Sequence, residues 1–342
     1  MSKKDLKDKL EEETLLEEKE GEALEDEVIE DLEIEEPLFV QAEITYEEAQ
    51  FVEIEKAREI FLKQYKSQNV IKWIVSIAAL ALIIVGWLIF LDKSIYLTIG
   101  SIALSLLLIL GYNFIIKRYL NGKMKTYFDI FYNNTTSYIF DENKYEDVKA
   151  AVENKIEPVQ FIENNIYKDV VQVGSRNLTT YEYKKMTIQV CDAAGQVKAQ
   201  KGLKPVFVGK YFMAPNLYKG DEPIIIYLKG NEKSLPPTNI EHLNVISDDK
   251  VMAVYSNNEA ASKFLTKPIM TALKKIKTDD VLIDVAIAIQ KEKTFVCAGY
   301  DDTLMVLPLE HPFDPKPTKN YKEDLEKFSE FIYALNTKPK KE

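Results

Sequence analysis

Histidine and cysteine are nearly missing from this chain: among 342 residues there are two of each. His242 and His311 lie far apart, and neither has a second His or Cys at ligand spacing, so no metal site is expected. Cys191 and Cys297 sit in the strand-like runs TIQVCDA and KTFVCAG, with no His nearby to activate a thiol. Two buried, reduced thiols are expected rather than a disulfide-stapled framework. Glycine is also sparse, at 12 residues, and no Gly-rich phosphate loop exists. Val173-Gly-Ser-Arg-Asn177 holds a single glycine and lacks the Gly-Lys-Ser/Thr of a P-loop. No Gly-x-Ser-x-Gly elbow is present. Nor does an apolar core follow the N-terminal lysines of MSKKDLKDKLEEE, as a signal peptide would require. These absences leave no catalytic, cofactor-binding or metal-binding residue to name, and no cofactor is expected.

Other candidate groups are better explained by structure. Asp279-Asp280 and Asp301-Asp302 are adjacent carboxylates, which on an extended chain point to opposite faces and suit turns better than acid–base pairs. Asn134-Thr-Thr136 and Asn177-Leu-Thr179 match a glycosylation acceptor, discounted for a domain on the cytoplasmic side.

What the chain does have is two long uncharged apolar runs. Trp73–Leu91 is a run of 19 residues and Ile95–Ile116 a run of 22. At about 1.5 Å per residue the first spans roughly 28 Å, close to the hydrocarbon thickness of a bilayer. Asp92, Lys93 and Ser94 separate them, and so short a link forces an antiparallel hairpin. Lys56, Arg58, Lys63, Lys66 and Lys72 precede the pair, and Lys117, Arg118, Lys123 and Lys125 follow it. That bias predicts a two-pass anchor in the cell membrane with both termini cytoplasmic. Trp73, Trp87, Tyr96, Tyr112 and Tyr119 stand at or near the span ends, as aromatic belts do. Ser76, Ala78, Ala79, Gly100 and Ser101 are small enough for close helix approach, within the hairpin or between copies in a homo-oligomer. Neither span holds an Asp, Glu, Lys, Arg or His, so an anchor is expected and not an ion pathway.

The charge is just as uneven. Residues 1–36 contain 17 Asp and Glu against 5 Lys, whereas the whole chain is −11, so the remainder is almost neutral. Residues 1–44 are expected to be an acidic, disordered tail whose spaced Leu, Ile and Val could also serve as docking anchors. Thr45 and Glu48 have the spacing of a capping box, opening a juxtamembrane helix over 45–72. Phe51, Ile54, Phe61 and Tyr65 recur on one helical face there, with Val52 and Ile60 beside them.

Residues 117–342 are long enough for one domain or two small ones. Residues 117–170 are expected to be mainly helical, with the aromatic cluster Tyr127, Phe128, Ile130, Phe131 and Tyr132 as a core seam, and Tyr145–Lys155 as a second helix stopped by Pro158. Over 171–310 the spacing predicts strands at Lys185–Cys191, Pro205–Phe212, Pro223–Leu228, Asn244–Ile246, Lys250–Tyr255, Leu282–Gln290, Phe295–Ala298 and Leu304–Leu307. Gly220-Asp221 suggests a hairpin between Phe212 and Pro223, and a helix is expected from Asn258 towards Ile276, interrupted by Pro268. A C-terminal amphipathic helix over 319–336 presents Tyr321, Leu325, Phe328, Phe331, Ile332 and Leu335 on one face. The expected class is α+β: a transmembrane helical hairpin, then a cytoplasmic domain with a mainly antiparallel sheet and flanking helices.

The run VMAVYSNNEAASKFLTKPIMTALKKI, starting at Val251, resembles the signature of a bacterial two-span membrane protein family of undescribed function, often encoded beside LemA-type proteins. Val254-Tyr255, Asn257-Asn258, Ala260, Leu265-Thr266 and Pro268-Ile-Met270 fill its places, with Lys267 standing between the Thr and the Pro. Phe207, Gly209 and Phe212 resemble the family's Phe-x-Gly strand, and the likeness extends diffusely over about residues 70–310. The resemblance implies a membrane hairpin followed by a cytoplasmic domain, and points to a LemA-type membrane protein as partner. It brings no catalytic residues. The expected function is therefore a membrane-anchored binding or scaffolding module. The alternatives are an enzyme acting near the membrane through a site scattered in sequence, and an anionic-lipid sensor using Lys263, Lys267, Lys274, Lys275 and Lys277. Nucleic acid is not an expected partner, for want of a motif or a basic overall charge.

Overall fold

The computed structural model describes residues 46–90, 95–301, 307, 309 and 311–337. The acidic tail, Thr45 of the capping box and the Asp92–Ser94 link lie outside the described residues, as does Leu304–Leu307 except for Leu307.

Two long helices come first, α1 (Ala49–Phe90) and α2 (Ile95–Ile139). The juxtamembrane stretch is thus one piece with the first apolar run, and the second apolar run continues without a break into the domain. Only 11% and 6% of their most apolar stretches is buried. A core helix of a soluble protein would hide that surface, whereas exposed apolar side chains suit lipid, so the chain is membrane-associated. Between the runs, small residues let the helices meet. A Cβ on Gly86 would fall 1.8 Å from the Ser101 hydroxyl oxygen, and Ala79, Thr98 and Ser105 are buried in the same seam. This packing lies within the hairpin, and Gly100 takes no part in it.

Below the apolar runs the helices change character. Phe51, Ile54, Ala57 and Phe61 on α1 pack with Tyr127 and Phe131 on α2 and with Phe313. Val52, Ile60 and Tyr65 face outward. Three further bonds fix α1 and the residues just before it to the segment at Phe313 and the first turns of the last helix. The Tyr46 hydroxyl donates to the Phe313 carbonyl at 2.8 Å, the Phe313 N–H donates to Glu55 Oε2 at 3.0 Å, and Glu48 pairs with Lys319 at 2.8 Å. The stalk therefore packs on the domain instead of lying along the bilayer.

The rest of the described chain is built on an antiparallel sheet that has nine strands among the described residues. In chain order these are β1 (Glu146–Ala151), β2 (Val170–Tyr183), β3 (Met186–Ala199), β4 (Gly202–Pro215), β5 (Ile224–Leu228), β6 (Val245–Asp248), β7 (Met252–Tyr255), β8 (Leu282–Gln290) and β9 (Lys293–Tyr300). Their order across the sheet is β1-β2-β3-β4-β9-β8-β5-β7-β6. The short helices are α3 (Pro158–Ile162), α4 (Ala261–Phe264) and α5 (Lys267–Leu273), and α6 (Lys316–Leu335) closes the chain. One sheet face packs on α6, α5 and the end of α2, through Tyr181, Ile188, Phe212, Val296, Leu325 and Phe328 among others. The opposite face holds Phe161 of α3 with Ile166, Tyr167, Phe207, Tyr211 and Cys297. The architecture is α+β.

Several sequence expectations need correction. Tyr145–Lys155 is not a helix: Glu146–Ala151 is the edge strand β1, paired to β2 with Lys149 opposite Thr180. Its charged helix formers lose to the open ladder edge of β2, because a strand's partner can override local propensity. Residues 117–170 are accordingly helical only to Ile139 and again in α3. The 14-residue strand β2 was not expected at all. No hairpin joins β4 to β5, since β9 and β8 lie between them. The expected helix from Asn258 is two short ones, with Thr266 extended as the cap of α5 and Pro268 in its first turn. All six apolar positions named for the last helix are buried in α6.

The Tyr181 hydroxyl and Ser329 Oγ, both buried, meet at 3.0 Å and tie the sheet to α6. Tyr181→Phe is expected to cost the domain about 1–2 kcal/mol, the value of one buried hydrogen bond with its orphaned partner. Thermal melting of the full chain in detergent micelles, followed by circular dichroism of the domain, measures it.

Candidate functional site

The site grows out of strand register. Arg176 on β2 stands opposite Asp192 on β3, Asp192 opposite Lys210 on β4, and Lys210 opposite Ala298 on β9. Successive residues along a strand alternate faces, so Ile188, Val190 and Asp192 share one side, as do Val208, Lys210 and Phe212. This is the side α6 covers, and the three charges sit where that cover ends. Tyr321, near the start of α6, lies over them, with Lys210 Nζ 4.7 Å from the centre of its ring. Beyond it the next row, Gly174, Ala194 and Val208, bears small side chains or none. A half-open cavity of about 310 Å³ results, lined by these residues with Ser175, Ala193, Gly209 and Tyr300. Gly209 is required here: a Cβ on it would lie 2.0 Å from the Ala298 carbonyl oxygen.

Lys210 is only 5% exposed. A buried ammonium is tolerable only when paired, and Lys210 Nζ donates to Asp192 Oδ1. The other carboxylate oxygen accepts from Asn177 Nδ2 and lies 3.4 Å from Arg176 Nε. Asn177 reaches it from a bulge in β2, in a left-handed conformation with φ of 57° that Asn adopts at little cost. Burial pushes the Asp192 carboxyl upward, but the Lys210 charge, the bonds from Lys210 and Asn177, and Arg176 outweigh it and hold it below its ordinary value. Beside them the Tyr300 hydroxyl donates to Asp324 Oδ2 at 3.2 Å, and Lys327 pairs with Oδ1 at 3.0 Å. Burial still raises Asp324.

Chemically this is an arrangement for binding. The Asp192 carboxylate accepts from Lys210 and Asn177 and is ion-paired with Arg176, and the Ser175 hydroxyl faces the Ile156 backbone, 3.2 Å from its nitrogen and 3.3 Å from its oxygen. Arg176, half exposed, keeps guanidinium N–H groups for a ligand above a mostly apolar floor. The cysteines stand away on the other face. Cys191 and Cys297 are both opposite Tyr211, on the strands flanking it, so they are roughly 10 Å apart, beyond disulfide reach. Both are free and buried, and burial pushes the Cys191 thiol up to about 12.

The sequence candidates fall elsewhere. Asp279 Oδ1 accepts from the N–H groups of Val281 and Leu282, both at 2.7 Å, as a turn residue does, and Asp301 pairs with Lys233 at 2.7 Å. His242 and His311 are exposed. Among the described residues no three His, Cys, Asp or Glu side chains gather as a metal site would need. Lys275 pairs with Glu330 near the C-terminal end of α6. The residues carrying the family resemblance are architectural. Val254 is core, Asn257 bonds across the loop to Asn244 and His242, and Asn258 reaches the Tyr218 hydroxyl at 2.7 Å. Asp192 and Lys210 were not singled out from the sequence. The signal available was a charge at an inward position of an otherwise apolar alternation, in IQVCD and VGKYF.

No protein-family model matches the chain, and no curated protein matches its sequence. Among solved structures, it is similar to the mycobacterial trehalose monomycolate transport factor A. The likeness has 13% identity and a TM-score of 0.33, and covers 60% of this chain and 96% of that one. A likeness of that degree fixes neither fold nor function.

Proposed function

We propose that this protein is a two-pass membrane anchor that holds an α+β binding domain against the cytoplasmic face of the cell membrane, where the cavity over β2–β4 receives a partner. The observation that carries it is the join between anchor and domain. The lower turns of α1 and α2 are themselves domain core, through Phe51, Ile54, Phe61, Tyr127, Phe131 and Phe313. A flexible tether would serve a domain that roams, whereas a packed join holds one surface at a set height and orientation. The basic residues flanking the apolar runs support the cytoplasmic side for both termini. The family resemblance favours a LemA-type membrane protein as the partner.

A photo-crosslinking side chain at Val208, in the cavity wall, tests this in native membranes, with Lys219 on the far side of the domain as control. The expected result is a membrane protein captured reproducibly from position 208 and not from 219. Capture of no protein from 208 would overturn the binding role, and a partner of another kind would overturn the LemA assignment alone.

A further inference from the structure

The sheet has one end that faces the bilayer, and contacts along α2 identify it. Phe140, just past α2, lies beside Tyr181 with ring centres 5.1 Å apart. Tyr132 and Thr136, one to two turns nearer the apolar run, share a small gap with Asn177 and Thr179. Moving up α2 towards its apolar stretch therefore means moving down β2 from Tyr181 towards Val170. The α6 contacts agree: Tyr321 stands over Lys210, Phe328 lies 5.0 Å from Phe212 and Tyr333 lies 6.3 Å from Tyr183, so α6 runs away from the membrane. From Tyr132 to Ile116, the end of the apolar run, α2 climbs roughly 24 Å at about 1.5 Å per residue. From Thr179 to Val170, β2 covers roughly 30 Å at about 3.3 Å per residue. The start of β2 and the turn joining β3 to β4 thus come level with the last apolar residues of α2.

What stands there is basic and apolar. Lys198, Lys201 and Lys204 are exposed around the β3–β4 turn with Leu203, and Val171 is exposed on β2 beside it. No acidic residue occurs from 193 to 205 or from 170 to 175. None of the three lysines has an ion-pair partner among the described residues. Of the lysines that the sequence suggests for lipid contact, Lys275 lies elsewhere, paired to Glu330 towards the end of α6 that points away.

We propose that the β3–β4 turn is a second membrane contact, with Lys198, Lys201 and Lys204 on anionic lipid headgroups and Leu203 at the interface. The inference rests on α1 and α2 spanning the bilayer. Together with the hairpin it gives the domain two points of support and fixes the tilt of the sheet, presenting the cavity at Arg176 and Val208 between the membrane and α6. Each lysine near an anionic surface adds attraction that salt weakens.

The test uses the full chain in vesicles, with an environment-sensitive dye on Leu203→Cys and, separately, on Lys219→Cys near the C-terminal end of α6. Cys191 and Cys297 are buried and stay unlabelled. Flotation with the vesicles checks insertion first. In vesicles of about three phosphatidylcholines to one phosphatidylglycerol, quenching by a headgroup-linked quencher is expected to be several-fold stronger at 203 than at 219. Pure phosphatidylcholine, about 0.5 M salt, or K198E/K201E/K204E should each remove most of that difference. Equal quenching at the two positions in inserted protein would overturn the proposal and leave the anchor intact. A chain that does not float with vesicles would overturn the spanning helices, and the proposal with them.

Discussion

Lys210→Met is expected to destabilise the domain by about 3–5 kcal/mol, the cost of leaving a buried charge without its partner. The methionine fills the volume of the lysine stem, so packing against Tyr321 changes little, and the loss comes from Asp192. That side chain is 21% exposed, and after the substitution only Arg176 and the Asn177 amide would oppose its burial. Adding Asp192→Asn removes the stranded charge while keeping an oxygen for Asn177, and the double variant should recover much of the loss. If the double is as unstable as the single, the damage is packing and not charge. The pH dependence gives an independent reading. In the native protein the Asp192 carboxyl titrates below its ordinary value, so its contribution is present above about pH 4 and is lost as the pH falls through the lowered value. In Lys210→Met burial is no longer offset by the ammonium and the carboxyl titrates higher. The variant should then lose stability as the pH rises, with the deficit smallest in acid. Melting curves of the full chain in micelles, taken from acid to neutral pH, measure both effects.

The parts of this fold that could be read from sequence are those whose cause is local. The two apolar runs carry their environment in their composition, and α6 carries its buried face in a period that Tyr321, Leu325, Phe328 and Ile332 mark out. β8 and β9 are short apolar runs with a turn at Lys291-Glu292 between them, and adjacent strands with a tight turn pair with each other. β1 and β2 failed this test because the reason they are strands is elsewhere. Glu146–Ala151 has the charge content of a solvated helix and becomes a strand only because Leu178–Glu182 offers an open edge. β4 and β5 follow each other in the chain with turn residues between them, yet β9 and β8 separate them in the sheet. The same limit hid the candidate site. Arg176, Asp192 and Lys210 are 16 and 18 residues apart, and only the register of three strands brings them into one row.

Asp284→Asn should act in the opposite direction and stabilise the domain at neutral pH by up to about 3 kcal/mol. Asp284 on β8 is buried on the face away from the cavity, where a Cβ on Gly299 opposite would come within 2.7 Å of its Oδ1. Its Oδ2 accepts from the Leu235 N–H at 2.6 Å. Among the described residues no Lys or Arg pairs with it, and burial pushes the carboxyl up to about 6. The sign follows from linkage. Below about pH 4 the group is protonated in both folded and unfolded chains and has no effect on their balance. Between about pH 4 and 6 the unfolded chain ionises first, so stability falls as the pH rises, and above about 6 the full penalty is in place. An asparagine keeps the oxygen that Leu235 needs and removes the charge. Its new N–H groups require acceptors, and an unmet one would take back about 1–3 kcal/mol. The pH profile separates these contributions, because an unsatisfied amide costs the same at every pH. The stabilisation of Asp284→Asn over the native chain should therefore grow between about pH 4 and 6 and level off beyond it. A difference that stays flat across that range would mean the native carboxyl is already ionised at pH 4, with some group other than Leu235 holding it so.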